Sequence, residues 1–200
     1  MKLLVTGTGR CGTHWFAECL RRAGVPATHE HAFGQTLDGT QRAWKAEVAW
    51  PAAAYLPVAG AEVVHLVRHP LDTIASRMAR GTFAEVPPSP DQAKLGAWAA
   101  ARCPLIQEGK THLERAALHW VGWNQMIDPH ADYFLRVEEV VPDDIIQLAR
   151  IINPAARLDV LPPAIHTSQH PELTWAELTS LVRPEVTRRV AELAERYGYR

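Results

Sequence analysis

Cysteine is scarce in this chain: Cys11, Cys19 and Cys103 are the only three among 200 residues. The number is odd, and no two of them stand as C-x-x-C. This argues against a disulfide framework and a zinc knuckle, and fits a reducing compartment. Neither sign of charge predominates. Lys and Arg number 21 against 22 Asp and Glu, a formal net charge of -1, so there is no overall case for nucleic acid or an anionic membrane as partner. Long apolar runs are missing as well. No stretch approaches the ~20 residues of a membrane helix. The opening MKLLVTG runs straight into a glycine loop, without the apolar run and cleavage site of a signal peptide. Repeats and low-complexity tracts are also missing. The expectation is a cytoplasmic protein.

What is present suits a globular core. Hydrophobic residues make up 47% of the chain, enough for one domain over residues 1–200. Lys2–Thr6 reads as a buried strand, Thr13–Ala23 as a helix stopped by Gly24, and Val25–Glu30 as a second strand. HAFGQTLDG is a loop by composition, and Gln41–Ala49 reads as a short helix. EVVHLV, Glu62–Val67, is the clearest strand, and Pro70–Arg80 the helix after it, with Pro70 at a first-turn position where its missing N–H costs nothing. Asp91–Arg102 and Thr111–Ile127 read as helices, forming a helical segment of about residues 91–129 between the third and fourth strands. Tyr133–Val137 is that fourth strand. Asp143–Ile152 and Glu185–Tyr197 are helices, with a long irregular stretch between them. Strands alternating with helices imply an α/β fold with a parallel sheet and ligand at the carboxyl ends of the strands.

One such end carries VTGTGRCGTHWF. Gly7, Gly9 and Gly12 spell the G-x-G-x-x-G of dinucleotide sites, and Gly7 to Gly12 also spell the G-x-x-x-x-G of a P-loop. All readings share one piece of physics: a tight glycine turn at a helix N-terminus presents backbone N–H groups to an anion. A nicotinamide-dependent reductase would place an acidic residue at the end of the second strand, and Glu30 is suitably spaced, but no Y-x-x-x-K pair follows. A nucleotide kinase needs a lysine where Thr13 stands, and a magnesium aspartate where the third strand instead ends in VRHP. A third reading uses Arg10, a cation inside the loop, together with Arg68 and, eight residues later, Ser76. These two grips suit a nucleotide with two separated anionic groups.

The residues of that third reading resemble the P-loop sulfotransferases that use 3'-phosphoadenosine 5'-phosphosulfate (PAPS), bacterial members in particular. GTGRCGTHW is similar to the family's phosphosulfate loop, [KR]-[ST]-G-T-[TS]-W. Arg10, Gly12, Thr13 and Trp15 match, while Cys11 and His14 depart from small hydroxylated residues. LVRHPLDTIAS resembles the 3'-phosphate motif R-[DN]-P-x-x-x-x-x-S through Arg68, Pro70 and Ser76, with His69 departing. HWVGWNQMI, FLRVEEV and LTWAEL with AERYGY are softer matches that carry the resemblance nearly to Arg200.

The resemblance implies a P-loop NTPase-like three-layer α/β/α fold with a central parallel sheet. It implies sulfuryl transfer from PAPS to a hydroxyl or amine of a small-molecule or glycan acceptor, with adenosine 3',5'-bisphosphate (PAP) as product and no metal. Gly9, Arg10, Cys11, Gly12, Thr13 and His14 would hold the phosphosulfate, and Arg68 and Ser76 the 3'-phosphate. A non-catalytic nucleotide-binding domain with the same fold is the alternative from another class.

Sulfuryl transfer needs a general base at the acceptor. THEHAF offers His29, Glu30 and His31. In an extended strand His29 and His31 share one face and Glu30 takes the other, which favours Glu30, with His29 next. His-Glu-His lacks the H-E-x-x-H spacing of a zinc site, and His65, His69, His166 and His170 lie on unrelated segments. Trp98, Trp120 and Trp123 sit on expected helices and read first as core. Arg136 and Glu138 alternate on the fourth strand, as a structural or a functional pair.

Overall fold

The computed structural model describes residues 1–33, 43–164 and 170–199. Along the chain it has β1 (Lys2–Gly7), α1 (Thr13–Arg22), β2 (Ala27–His29), β3 (Ala46–Val48) and β4 (Ala61–Val67). Then follow α2 (Pro70–Arg80), α3 (Pro90–Arg102), α4 (His112–Ile127), β5 (Tyr133–Arg136), α5 (Pro142–Arg150), α6 (Trp175–Leu181) and α7 (Pro184–Arg196). The residues divide into two compact units, Met1–Val67 with Met126–Thr167, and Arg68–Gln125 with Ser168–Arg200.

The first unit is a five-stranded sheet in the order β2-β3-β1-β4-β5, with every pairing parallel. Parallel strands are covered on both faces and read as continuous apolar runs. Leu3, Leu4 and Val5 of β1 are accordingly fully buried. Leu3 and Val5 join Phe16, Ala17 and Leu20 of α1 and Ile145, Leu148 and Ala149 of α5 in one core. Leu4 and Val63 join Ala32, Phe33, Trp44 and Ala52 in another. Ala52 belongs to a 3₁₀ turn, Trp50–Tyr55. The class is the α/β fold with a central parallel sheet that the sequence implies, P-loop NTPase-like in setting a glycine loop between the central first strand and a helix.

The expected helix Gln41–Ala49 is corrected: Ala46–Val48 is a strand, while residues 41 and 42 lie outside the described ones. Three residues buried on both faces carry no periodicity, so pattern alone does not separate strand from helix there. The second strand is shorter than expected and ends at His29. The fourth expected strand is the fifth in the chain, and a 3₁₀ turn, Val137–Glu139, follows it directly. Helix α6 was not anticipated, although Thr174 and Glu177 form a reciprocal capping box at its start.

In the second unit, α2 runs over the expected residues, with Pro70 in its first turn and Gly81 ending it at φ 65°. Two of the three helical tryptophans are core, and Trp98 is half-buried. Trp120 and Trp123 of α4 are fully buried. Trp123 packs on Trp98 and His119, and Trp120 packs on Tyr197. Burial and the neighbouring Arg77 hold His119 well below the usual histidine range. Glu114, almost wholly buried, binds Arg183 at 2.8 Å and accepts the backbone N–H of Lys110 at 2.7 Å. These bonds hold its carboxyl down at about 2.

Candidate active site

The loop between β1 and α1 takes its shape from the backbone. Arg10 has φ 83° and Gly12 φ 99°, both in the left-handed region. Gly12 is the N-cap of α1 and receives no side-chain cap. A β-carbon there would stand 3.0 Å from Val137 Cγ2, and one at Gly7 only 2.0 Å from the carbonyl oxygen of Leu66. Glycine is therefore needed at both places, at Gly7 for the close approach of β4 and at Gly12 for the turn. The Cys11 N–H donates to the Thr8 carbonyl at 3.0 Å and closes the turn. Cys11 is fully buried, so it shapes the loop from inside. The amides of Thr13 and His14 begin α1, at the positive end of the helix dipole.

Beside this loop stands the end of β2. His29 Nε2 lies 3.1 Å from Thr13 Oγ1. The His29 ring stacks on His14 with centroids 4.8 Å apart. Glu30 Oε1 is 3.6 Å from the same Nε2. Glu30 therefore does not take the face opposite His29 that strand alternation predicts. Extended geometry stops at His29, and Glu30 adopts φ 52°, which turns its side chain back toward His29 instead of to the opposite face. The unit thus brings Arg10, Gly12, Thr13, His14, His29 and Glu30 into one neighbourhood, and His29 is part of it as much as Glu30.

Three features of this unit escaped the sequence reading. Val137 closes on Gly12 from the end of β5. Trp15 Nε1 donates to the Pro162 carbonyl at 2.9 Å and ties the irregular stretch to α1. Glu47, fully buried in β3, accepts hydrogen bonds from Thr28 and Ala32. Arg136 pairs with Glu139 of the 3₁₀ turn. His166 lies outside the described residues.

Arg68 and Ser76 belong to the second unit. The Arg68 guanidinium lies 3.6 Å from Asp72, one turn into α2, and its side chain is about a third exposed. Its carbonyl accepts Trp120 Nε1 at 3.3 Å. His69 stands at the N-cap position of α2 without a side-chain cap, and its ring packs edge-on against Tyr199. Ser76 is buried. It stands six residues beyond Pro70, about 9 Å along the axis, so it lies in the second turn of α2.

Among the described residues, no group of three or more His, Cys, Asp and Glu could hold a metal ion. No helix among them is long and apolar enough to cross a membrane. Burial pushes the Cys19 thiol up to about 12 and raises that of Cys103.

No family model matches the chain, and no curated protein does. Among solved structures, mouse sulfotransferase SULT7A1 complexed with PAP is similar at 15% identity, over 98% of this chain and 83% of that one, with a TM-score of 0.41.

Proposed function

We propose that the chain is a sulfotransferase that passes the sulfuryl group of PAPS to a hydroxyl or amine of a small-molecule or glycan acceptor. The observation that supports it most is the β1–α1 turn: a glycine loop with Arg10 inside it, in the left-handed region, leading into the N-terminus of α1. The 5'-phosphosulfate is assigned to the amides of Gly9, Gly12, Thr13 and His14 and to Arg10, with Cys11 setting the turn. Anion binding of this kind is backbone chemistry with a cation added. The sequence motif assigns the 3'-phosphate to Arg68, by its paired donors, and to Ser76.

Transfer itself asks for little covalent work from the protein. An acceptor oxygen or nitrogen attacks sulfur as the bond from sulfur to the bridging oxygen breaks. Charge grows on the departing 5'-phosphate, where Arg10 and the amides stabilise it. Glu30 takes the acceptor proton, and His29, 3.6 Å away, supports it.

Strand order speaks against the nicotinamide alternative. In that fold the second strand adjoins the first, so that the acid at its end reaches the ribose. Here β3 intervenes between β2 and β1.

The test is calorimetric titration with PAP and with AMP. Arg68→Ala should remove the preference for PAP while leaving AMP affinity unchanged, and Arg10→Ala should weaken both. Equal loss of both ligands in Arg68→Ala contradicts the 3'-phosphate assignment.

A further inference from the structure

Glu47 is a carboxylate without solvent contact, in the middle strand residue of β3. Glutamate is almost never buried so completely unless its oxygens are engaged. Here both are: the Thr28 hydroxyl donates to Oε2, and the Ala32 N–H donates to Oε1 at 3.0 Å. Thr28 precedes His29 and Ala32 follows His31, so one carboxylate spans the whole His29–Glu30–His31 segment. The Glu30 N–H adds a third tie to β3, at the Val48 carbonyl, 3.2 Å away. Two details mark this as more than strand packing. Its neighbours in β3, Ala46 and Val48, fill their places with apolar groups, which bury at lower desolvation cost than a carboxylate. Glu30 also holds φ 52°, a conformation that a non-glycine residue keeps only when its surroundings determine it.

We propose that Glu47 is a positioning residue. It pins the turn after β2, and so sets His29 and Glu30 beside Thr13 and His14. The consequence for turnover rests on the sulfotransferase reading; the pinning does not.

The experiment uses the full chain with Glu47→Ala, Glu47→Gln and Thr28→Val. Four quantities are read: amide exchange at Ala32, the His29 ring resonances, PAP affinity, and kcat for transfer from PAPS to a panel of simple alcohols and amines. In Glu47→Ala, exchange at Ala32 should rise about tenfold or more as its acceptor is lost, and the His29 resonances should move. PAP affinity should hold within about twofold while kcat falls by about tenfold or more, because misplacing a reacting group costs rate before binding. Glu47→Gln keeps an acceptor oxygen and should recover most of the loss. If Glu47→Ala does not fold, Thr28→Val, which removes one donor at constant shape, should move the same His29 resonances less far in the same direction. Unmoved His29 resonances in a folded variant, or PAP affinity falling together with kcat, overturns the proposal. A wild type that binds no PAP overturns the sulfotransferase reading instead, and leaves Ala32 exchange and the His29 resonances to decide the role of Glu47.

Discussion

The Thr13 hydroxyl and the His29 imidazole meet at 3.1 Å, joining the first residue of α1 to the last of β2. The glycine loop and the segment that carries the candidate base are therefore in direct contact. In the proposed function Thr13 belongs to the turn that holds the phosphosulfate and His29 to the segment that takes the proton, with Glu30 Oε1 3.6 Å beyond.

Two mutants divide the roles of this segment. Glu30→Gln keeps size and removes basicity, so kcat should fall on the order of a hundredfold with PAP affinity unchanged. His29→Ala leaves Glu30 and the backbone amides of the loop in place, so it should cost turnover less than Glu30→Gln does and hold PAP affinity within about twofold. Steady-state kinetics and calorimetry on the two variants check this. Full turnover in Glu30→Gln would place the base elsewhere.

Gly12→Ala should lose PAP binding. Its φ of 99° is strained for any side chain, and Val137 Cγ2 stands 3.0 Å from the new carbon. The strain alone is worth about 1–3 kcal/mol, so a moderate loss in urea stability should accompany the loss of ligand. Undiminished PAP affinity would show that the turn does not need its left-handed residue.

Much of this loop was legible in the sequence, because glycine spacing, a strand before it and helical periodicity after it agree. Pro70 marked the start of α2 for the same reason. Local chemistry did not reveal β3, whose three residues are strand only through their parallel neighbours β2 and β1. The facing of His29 and Glu30 was also hidden. Alternation holds within a strand, and this strand stops at His29, one residue before the assumption was needed. Glu47 carries no motif; its meaning comes from Thr28 and Ala32 being folded over it.

The helical unit offers a test by pH. Glu114 is almost wholly buried, and its carboxyl is held at about 2 against an ordinary 4.5, chiefly by the Arg183 hydrogen bond. A depressed carboxylate contributes stability that is fully present above pH 4.5 and lost as pH falls toward 2. At roughly 1.4 kcal/mol per pKa unit, the contribution is at most about 3.5 kcal/mol, and solvent screening of the Arg183 partner lowers it. Urea unfolding at pH 6 and pH 3 should show wild type losing more stability than Glu114→Gln does. Equal losses would mean that the Glu114–Arg183 pair is not coupled to folding.

Thiol reactivity should be low in the native state. Cys11, Cys19 and Cys103 are all buried, and the Cys19 thiol stands at about 12. An aromatic disulfide reagent at mildly alkaline pH should label none of the three before unfolding and all of them in denaturant. Rapid native labelling at Cys11 would show that the anion loop opens.

The central claim, that the glycine loop serves a nucleotide with two separated anionic ends, is tested most directly by thermal denaturation with PAP, AMP, ATP with magnesium, NADH and NADPH side by side. A ligand confined to the native state adds about 2.7 kcal/mol at a hundredfold excess over its Kd. PAP should raise the melting temperature clearly and AMP less, with the remaining three giving little. A larger shift with NADPH than with PAP would contradict the account.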